Sequence, residues 1–194
     1  MIAGLILAGG ASRRMGRPKA LLEYRGETFL GRLQRIFLAN CDPVVVVVGH
    51  DAATIRPVVD PRAVVVVNPD PERGMLSSLQ VGLEQLRNAE RVLFLPLDYP
   101  AIHSDTVARL CESQTATHPI VMPRYEGRRG HPVLIAQIII QELLALPVDG
   151  AARDVIRSHN QEILYLDVND PAILMDVDTP EDYQVLSRLC PSGL

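Results

Sequence analysis

Residues 5–22 read LILAGGASRRMGRPKALL. The stretch opens as a wholly apolar strand and breaks at Gly9 and Gly10. It gathers Arg13, Arg14, Arg17 and Lys19, then turns apolar again. Open parallel sheets bind ligands outside the carboxyl ends of their strands, and this loop directly follows the first strand. Paired glycines let backbone approach a ligand closely or adopt positive φ. Four cations at that address predict a multiply charged phosphate compound. A solvated basic turn is the other reading of such a charge run, and the double glycine after strand one speaks against it. The loop is not a P-loop, because Lys19 is followed by Ala20, and it does not fit GxGxxG.

Outward from this stretch, short apolar runs recur: IAGLIL (2–7), VVVVV (44–48), VVVV (64–67) and RVLFLPL (91–97). Continuous rather than alternating apolarity marks strands covered on both faces, as in parallel sheets. Helix-period stretches lie between them. Phe29, Leu30, Leu33, Ile36 and Phe37 fall on one stripe, as do Met75, Leu76, Leu79, Leu83 and Leu86. Alternation through about residue 115 predicts βαβ units and an α/β fold of three layers, α/β/α, Rossmann-like, with a mostly parallel central sheet. IVMPRYEGRRGHPVLI (120–135) predicts a small hairpin excursion around a cationic, Gly-containing connection. Helices near 136–146 and 150–158 and a strand near 162–167 should follow. Thr179 should cap a last helix, with Pro180 at its first position. Neither repeat nor linker interrupts the chain, which predicts one domain over 1–194.

Composition narrows the function. A chain of 194 residues buries about 70% of its unfolded surface, enough for a full core. The net charge of -4 and a pI near 5.7 argue against nucleic acid or a polybasic membrane contact. Aromatic residues at 4%, without Trp, leave no stacking platform for single strands. Cys41, Cys111 and Cys190 are widely spaced and odd in number, so neither a disulfide framework nor a structural zinc site is expected. A cytoplasmic location fits that usage, the absence of a leader pattern and the lack of a run near the ~20 apolar residues of a membrane span.

A triphosphate normally arrives with Mg²⁺, which takes one or two carboxylates plus phosphate oxygens. FLPLDYP places Asp98 at the end of a buried strand, where a role as helix cap or turn former is the alternative. MDVDTPED places Asp176 and Asp178 two apart, on one face of an extended segment. No GxSxG, HExxH or Cys–His pairing offers a nucleophile. Nucleotidyl transfer onto a phosphate monoester needs none, because that group is already largely ionised at neutral pH. Positioning and charge neutralisation then carry catalysis.

The residues now in view resemble the molybdopterin nucleotidyltransferases, within the wider nucleoside-triphosphate transferases. LAGGASRRMGRPKALL is similar to the family's signature loop. NPDPERGMLSSLQVGL, PLDYP, GRRGHPVLI and DVDTPEDY follow in the family's order along nearly the whole chain. The resemblance implies that Leu7, Ala8, Gly9 and Gly10 contact base and ribose, while Arg14 and Lys19 hold the triphosphate. Asn68, Gly74 and Ser78 would border the base pocket; simple helix capping is the alternative for Ser77 and Ser78. Asp98 and Asp178 would share Mg²⁺ or Mn²⁺, with Asp176 in reserve for the second position. Residues up to about 115 would form the nucleotide half, and Arg129, Gly130 and His131 the acceptor side. LAGG looks like the guanylyl branch, whereas NPD…GMLSSL, RRGHPVLI and DVDTPED look like the cytidylyl branch. The resemblance therefore implies CTP as donor, GTP as the alternative, and molybdopterin as acceptor. A sugar or polyol phosphate is the rival acceptor, and a non-catalytic nucleotide-binding module the rival role. A molybdenum hydroxylase or its maturation chaperone would be the protein partner.

Overall fold

β1 (Ile2–Ala8) lies in the middle of the main sheet of this computed structural model, which describes residues 1–113 and 117–189. Cys190 lies outside the described residues. On one side β1 pairs in parallel with β4 (Val44–Val48), from Gly4 opposite Val44 to Ala8 opposite Val48. β4 pairs in turn with β5 (Val64–Val67). The chain then returns to the other side of β1 as β6 (Arg91–Pro96), with Leu7 opposite Pro96. The winding direction reverses between β1 and β6, where open α/β sheets form their crevice.

Beyond β6 the sheet continues through the expected hairpin. β7 (Ile120–Tyr125) and β9 (Val133–Ala136) are antiparallel partners, and β9 also pairs antiparallel with β6. The hairpin strands thus belong to the main sheet. Its tip turns at Glu126 and Gly127, both at positive φ, and β8 (Arg128–Arg129) pairs back onto β7. β10 (Ile163–Asp167) completes the other edge, parallel to β7.

Helices cover both faces. One face carries α1 (Phe29–Leu38) and α4 (Ser104–Glu112), with Ile6, Val46 and Leu93 meeting Phe29, Leu33, Phe37 and Val107. The other carries α3 (Met75–Gln85), α5 (Gln137–Ala145) and α6 (Ala152–Ser158) over Leu5, Leu7, Val45 and Val92. The α1 stripe is as the spacing predicts: Phe29, Leu30, Leu33, Ile36 and Phe37 are all buried, each contributing about 2 kcal/mol. Thr28, in the short antiparallel pair β2 (Glu23–Tyr24) and β3 (Glu27–Thr28), starts α1 by accepting a bond from Gly31 N. α7 (Pro180–Arg188) begins with a full capping box between Thr179 and Asp182.

β5 departs from the expectation of coverage on both faces. Its Val64 and Val67 are exposed, because β5 is the edge of the sheet and only a short helix, α2 (Ala52–Ile55), precedes it. No helix among the described residues is long and apolar enough to cross a membrane.

Candidate functional site

A cleft of about 220 Å³ opens at the carboxyl ends of β1 and β6. Strand register explains why loop and acid meet there. Leu7 and Pro96 are neighbours, and Leu97 N donates to Leu7 O at 3.0 Å, so Gly9 and Asp98 emerge side by side. Leu7, Ala8, Gly9, Gly10, Lys19 and Asp98 line this cleft, and Gly74 and Ser78 enter from the start of α3.

The basic loop is fastened to itself and to acids. Ser12, at φ 48°, accepts a bond from Lys19 N at 3.1 Å through its hydroxyl. Lys19 Nζ lies 2.6 Å from Asp178 Oδ1 and Arg14 Nη2 lies 2.7 Å from Asp178 Oδ2. The hydrogen bond from Lys19, joined by the charge of Arg14, holds the Asp178 carboxyl below the usual carboxylate range. The sequence reading turned all four cations toward one anion, and two of them go elsewhere. Arg13 pairs with Glu72, and Arg17 sits over the Tyr183 ring at 5.6 Å. Nearby carboxylate and aromatic groups already satisfy these two exposed guanidinium groups. Lys19 remains the cation in the cleft wall.

Asp98 lies in the turn that follows β6, where Tyr99 N donates to Pro96 O, and it caps no helix; the cap of α4 is His103. Asp98 Oδ1 is buried without a hydrogen-bond partner. Burial pushes the carboxyl pKa up, Lys19 pulls it down, and the charges of Asp178 and Asp176 push it up again. The three acids therefore share one electrostatic neighbourhood, although Asp176 is exposed and Asp178 half-buried. Val177 N donates to Asp98 O at 2.8 Å and ties the two segments. An unpartnered buried carboxylate oxygen beside two further carboxylates fits a hard divalent cation. No group of three or more His, Cys, Asp or Glu among the described residues could cage one alone. Such an ion would take its remaining ligands from phosphate and water, the habit of Mg²⁺.

The residues expected to border the base pocket form a buried polar knot. Asn68, 3% exposed, donates through Nδ2 to Ser77 Oγ at 2.8 Å and Ser78 Oγ at 3.0 Å. Its Oδ1 accepts from Asp70 N. Ser77 donates onward to carbonyls of Asp70 and Gly74. Neither serine caps α3. Gly74 occupies that position at φ 85°, where a side chain would be strained. A Cβ on Gly9 would lie 2.5 Å from Ser78 Oγ.

Of the residues expected to meet the acceptor, Arg129 is exposed in β8. Gly130 has no room for a side chain, since a Cβ there would lie 2.2 Å from Ile173 O. His131 packs against Tyr99 and Phe94, with ring centroids 4.8 and 6.2 Å away. Its Nδ1 is buried and unpartnered, and burial holds the imidazole down at about 4, hence neutral. Tyr99, next to Asp98, is pushed up to about 12 by burial and the nearby acids.

Three residues of the site escaped the sequence reading. Gly49, after β4, must be glycine because a Cβ would lie 2.2 Å from Gly9 O; a glycine ending an all-valine strand was the available signal. Arg32 on α1 donates from Nε to Pro100 O at 2.9 Å and from Nη2 to Ile102 O at 3.2 Å, bracing the turn after Asp98. It passed as the polar member of an amphipathic helix. Asp170, 1% exposed, accepts from His103 N, Thr106 Oγ1 and Ala172 N, fixing the segment that leads to Asp176. Its place directly before Pro171, a cap followed by proline at the first helical position, was the available signal.

Known proteins share sequence and fold with this chain. The chain is 33% identical to nicotine blue oxidoreductase of Paenarthrobacter nicotinovorans, over 95% of this chain and 96% of that one. It is 33% identical to a probable molybdenum cofactor guanylyltransferase of Bacillus cytotoxicus, over 66% and 64% of the two chains. It is 22% identical to the molybdenum cofactor cytidylyltransferase of Escherichia coli, over 92% of each. Among solved structures, Rv0371c of Mycobacterium tuberculosis superposes with a TM-score of 0.85 at 32% identity, covering 96% of this chain and 97% of that one. The same protein has been crystallised in complex with manganese. Residues 4–163 match the MobA-like NTP transferase domain. Fold, cleft and match agree: the chain belongs to the MobA-like NTP transferase domain family, and is a nucleotidyltransferase by that membership.

Proposed function

We propose that this protein transfers CMP from CTP to molybdopterin with release of pyrophosphate, in the presence of Mg²⁺ or Mn²⁺. The observation that carries the reading is the buried, unpartnered Asp98 oxygen facing Lys19 across a cleft at the β1–β6 crevice. Leu7 to Gly10 receive the base and ribose along their backbone. Asn68, Gly74 and Ser78 shape the base pocket from the α3 side. Asp98 and Asp178 hold the divalent ion, with Asp176 as the alternative second ligand. The ion, when bound, would supply charge neutralisation at the phosphates. Lys19 and Arg14 exchange Asp178 for phosphate oxygens and stabilise the charge that develops as pyrophosphate departs. The acceptor is a phosphate already ionised near neutral pH, so no protein base is required. Arg129, Gly130 and His131 border the acceptor, and His131 meets it as a neutral ring.

Two observations support CTP over GTP. The stretches around Asn68, Arg129 and Asp178 resemble the cytidylyl branch, and the relative named cytidylyltransferase aligns over 92% of this chain. Gly9 and the guanylyl relatives, at 28–33% identity over shorter spans, favour the other nucleotide. A molybdenum hydroxylase or its maturation chaperone is the partner expected to receive the product.

Titration calorimetry with CTP, GTP, ATP and UTP, each with Mg²⁺, tests the nucleotide. The reading expects CTP to bind at least tenfold more tightly than the rest. Tighter GTP binding would transfer specificity to the Gly9 loop. Binding of none would turn attention to the oxidoreductase chemistry named for the Paenarthrobacter relative.

A further inference from the structure

Two thiols lie at the opposite end of the sheet from the cleft. Cys41 follows α1, and the neighbouring Asp42 N donates to Ile2 O at the start of β1. The cleft opens past the far end of that strand, roughly 20 Å away by strand rise. Cys111 lies in the last turn of α4. The two sulfur atoms are 3.9 Å apart, although the residues stand 70 positions apart in the chain. Cys41 is 7% exposed and Cys111 is partly exposed, and both are free thiols. No part of nucleotide binding accounts for two cysteines in contact across adjacent helical elements.

We propose that Cys41 and Cys111 form a redox-reactive pair that a peroxide closes into a disulfide, cross-linking the turn after α1 to the last turn of α4. The chemistry has a defined order. Cys111 is the more accessible sulfur, so it meets the oxidant first. Either thiol can donate across the 3.9 Å contact. Once Cys111 ionises, the Cys41 S–H donates to its thiolate, which holds Cys111 below the ordinary thiol range and Cys41 above it. The Cys111 thiolate attacks one peroxide oxygen and the O–O bond breaks. This gives a sulfenic acid and hydroxide, which takes up a proton. The Cys41 sulfur then attacks the Cys111 sulfur, and the sulfenic hydroxyl leaves as water with the Cys41 proton. Two thiols and one hydrogen peroxide yield one disulfide and two waters.

The cross-link has a structural consequence. Arg32 on α1 holds the turn at Pro100 and Ile102 that leads into α4. A disulfide at the other end would fasten the same two segments a second time, around a long intervening loop. Closing a loop of that length restricts the unfolded chain strongly, so the oxidised protein should melt several degrees higher than the reduced one.

The test treats the full chain carrying Cys190→Ser with hydrogen peroxide, followed by intact mass, thiol titration and peptide mapping. The expected result is loss of both remaining thiols, a mass lower by two hydrogens, and a linked Cys41–Cys111 peptide. Reductant should reverse all three changes. In Cys111→Ala, buried Cys41 should retain its thiol under the same treatment. Sulfinic acid on Cys111 without a linked peptide would overturn the proposal, as would two intact thiols after exposure that oxidises free glutathione. Cys41 reacting as fast in Cys111→Ala as in the parent would overturn the order of attack.

Discussion

At the scale of single residues, two contacts decide how the cleft works. Asp98 keeps an oxygen buried without a partner, an expense that a fold tolerates where a ligand completes the bonding. Gly9 leaves only 2.5 Å between a would-be Cβ and Ser78 Oγ. Gly9→Ala should therefore overpack the wall shared with Ser78, costing roughly 1–3 kcal/mol in stability and displacing the loop proposed to receive the nucleotide. Ser78→Ala removes the obstructing oxygen, and the Ser78 Cβ stands 3.5 Å away, at ordinary contact distance. The double variant should recover most of the loss, measured by urea unfolding and nucleotide titration as a mutant cycle. Additive losses would contradict this coupling. The residue types of the site were legible because a double glycine, a strand-ending aspartate and clustered cations are unusual neighbours. Their partners were not: sequence says nothing of which cation meets which acid, so Arg13 and Arg17 were placed with Lys19 although Glu72 and Tyr183 engage them.

At the scale of elements, α1 does more than cover the sheet. Its Arg32 side chain, 11% exposed, spans two carbonyls of the turn after Asp98 and stacks over Tyr24 at 5.4 Å. Arg32→Lys keeps the charge, but one ammonium cannot reproduce the guanidinium fork. One buried carbonyl is then left unpaired, at a cost of about 1–3 kcal/mol. If the turn positions Asp98, kcat should fall roughly tenfold or more while the KM for nucleotide changes little. A loss of stability with unchanged kcat would show Arg32 to be structural only. The helices and strands themselves were legible from period and length. Edge position was not, which is why β5 is exposed despite four consecutive valines: an edge strand and a central one can share the same composition, and only pairing tells them apart.

At the scale of the whole molecule, burial fixes the response to acid. His131 has an ordinary value of 6.5 and is held at about 4 in the folded chain. Its folded value lies below its unfolded value, so its contribution is full above the unfolded value and lost as pH falls toward the folded one. Between pH 7 and pH 5 the unfolded chain takes up a proton that the folded chain refuses, which costs about 2 kcal/mol. His159, held above its ordinary value by Glu142 and Glu162, works the other way in the same window, so the loss is read as a difference. In urea unfolding, the change from pH 7 to pH 5 should be about 2 kcal/mol less favourable in the parent than in His131→Phe, which keeps a ring against Tyr99 and Phe94. Equal changes in the two proteins would contradict the buried neutral imidazole. The layered architecture was legible because continuous apolar strands demand cover on both faces. The knitting of the hairpin into the main sheet through β6 and β9 was not, since it depends on pairing between distant segments.

The central claim is that this cleft transfers a nucleotide with Asp98 at its metal-binding edge. The most direct measurement is pyrophosphate release from CTP with Mg²⁺ and molybdenum-loaded molybdopterin, in the wild type and in Asp98→Asn. The account predicts release in the wild type and at least a hundredfold loss in Asp98→Asn, with the variant as stable as its parent or more so, because a buried charge has gone. Undiminished release from Asp98→Asn, or no release from the wild type with any of the four nucleotides, would contradict it.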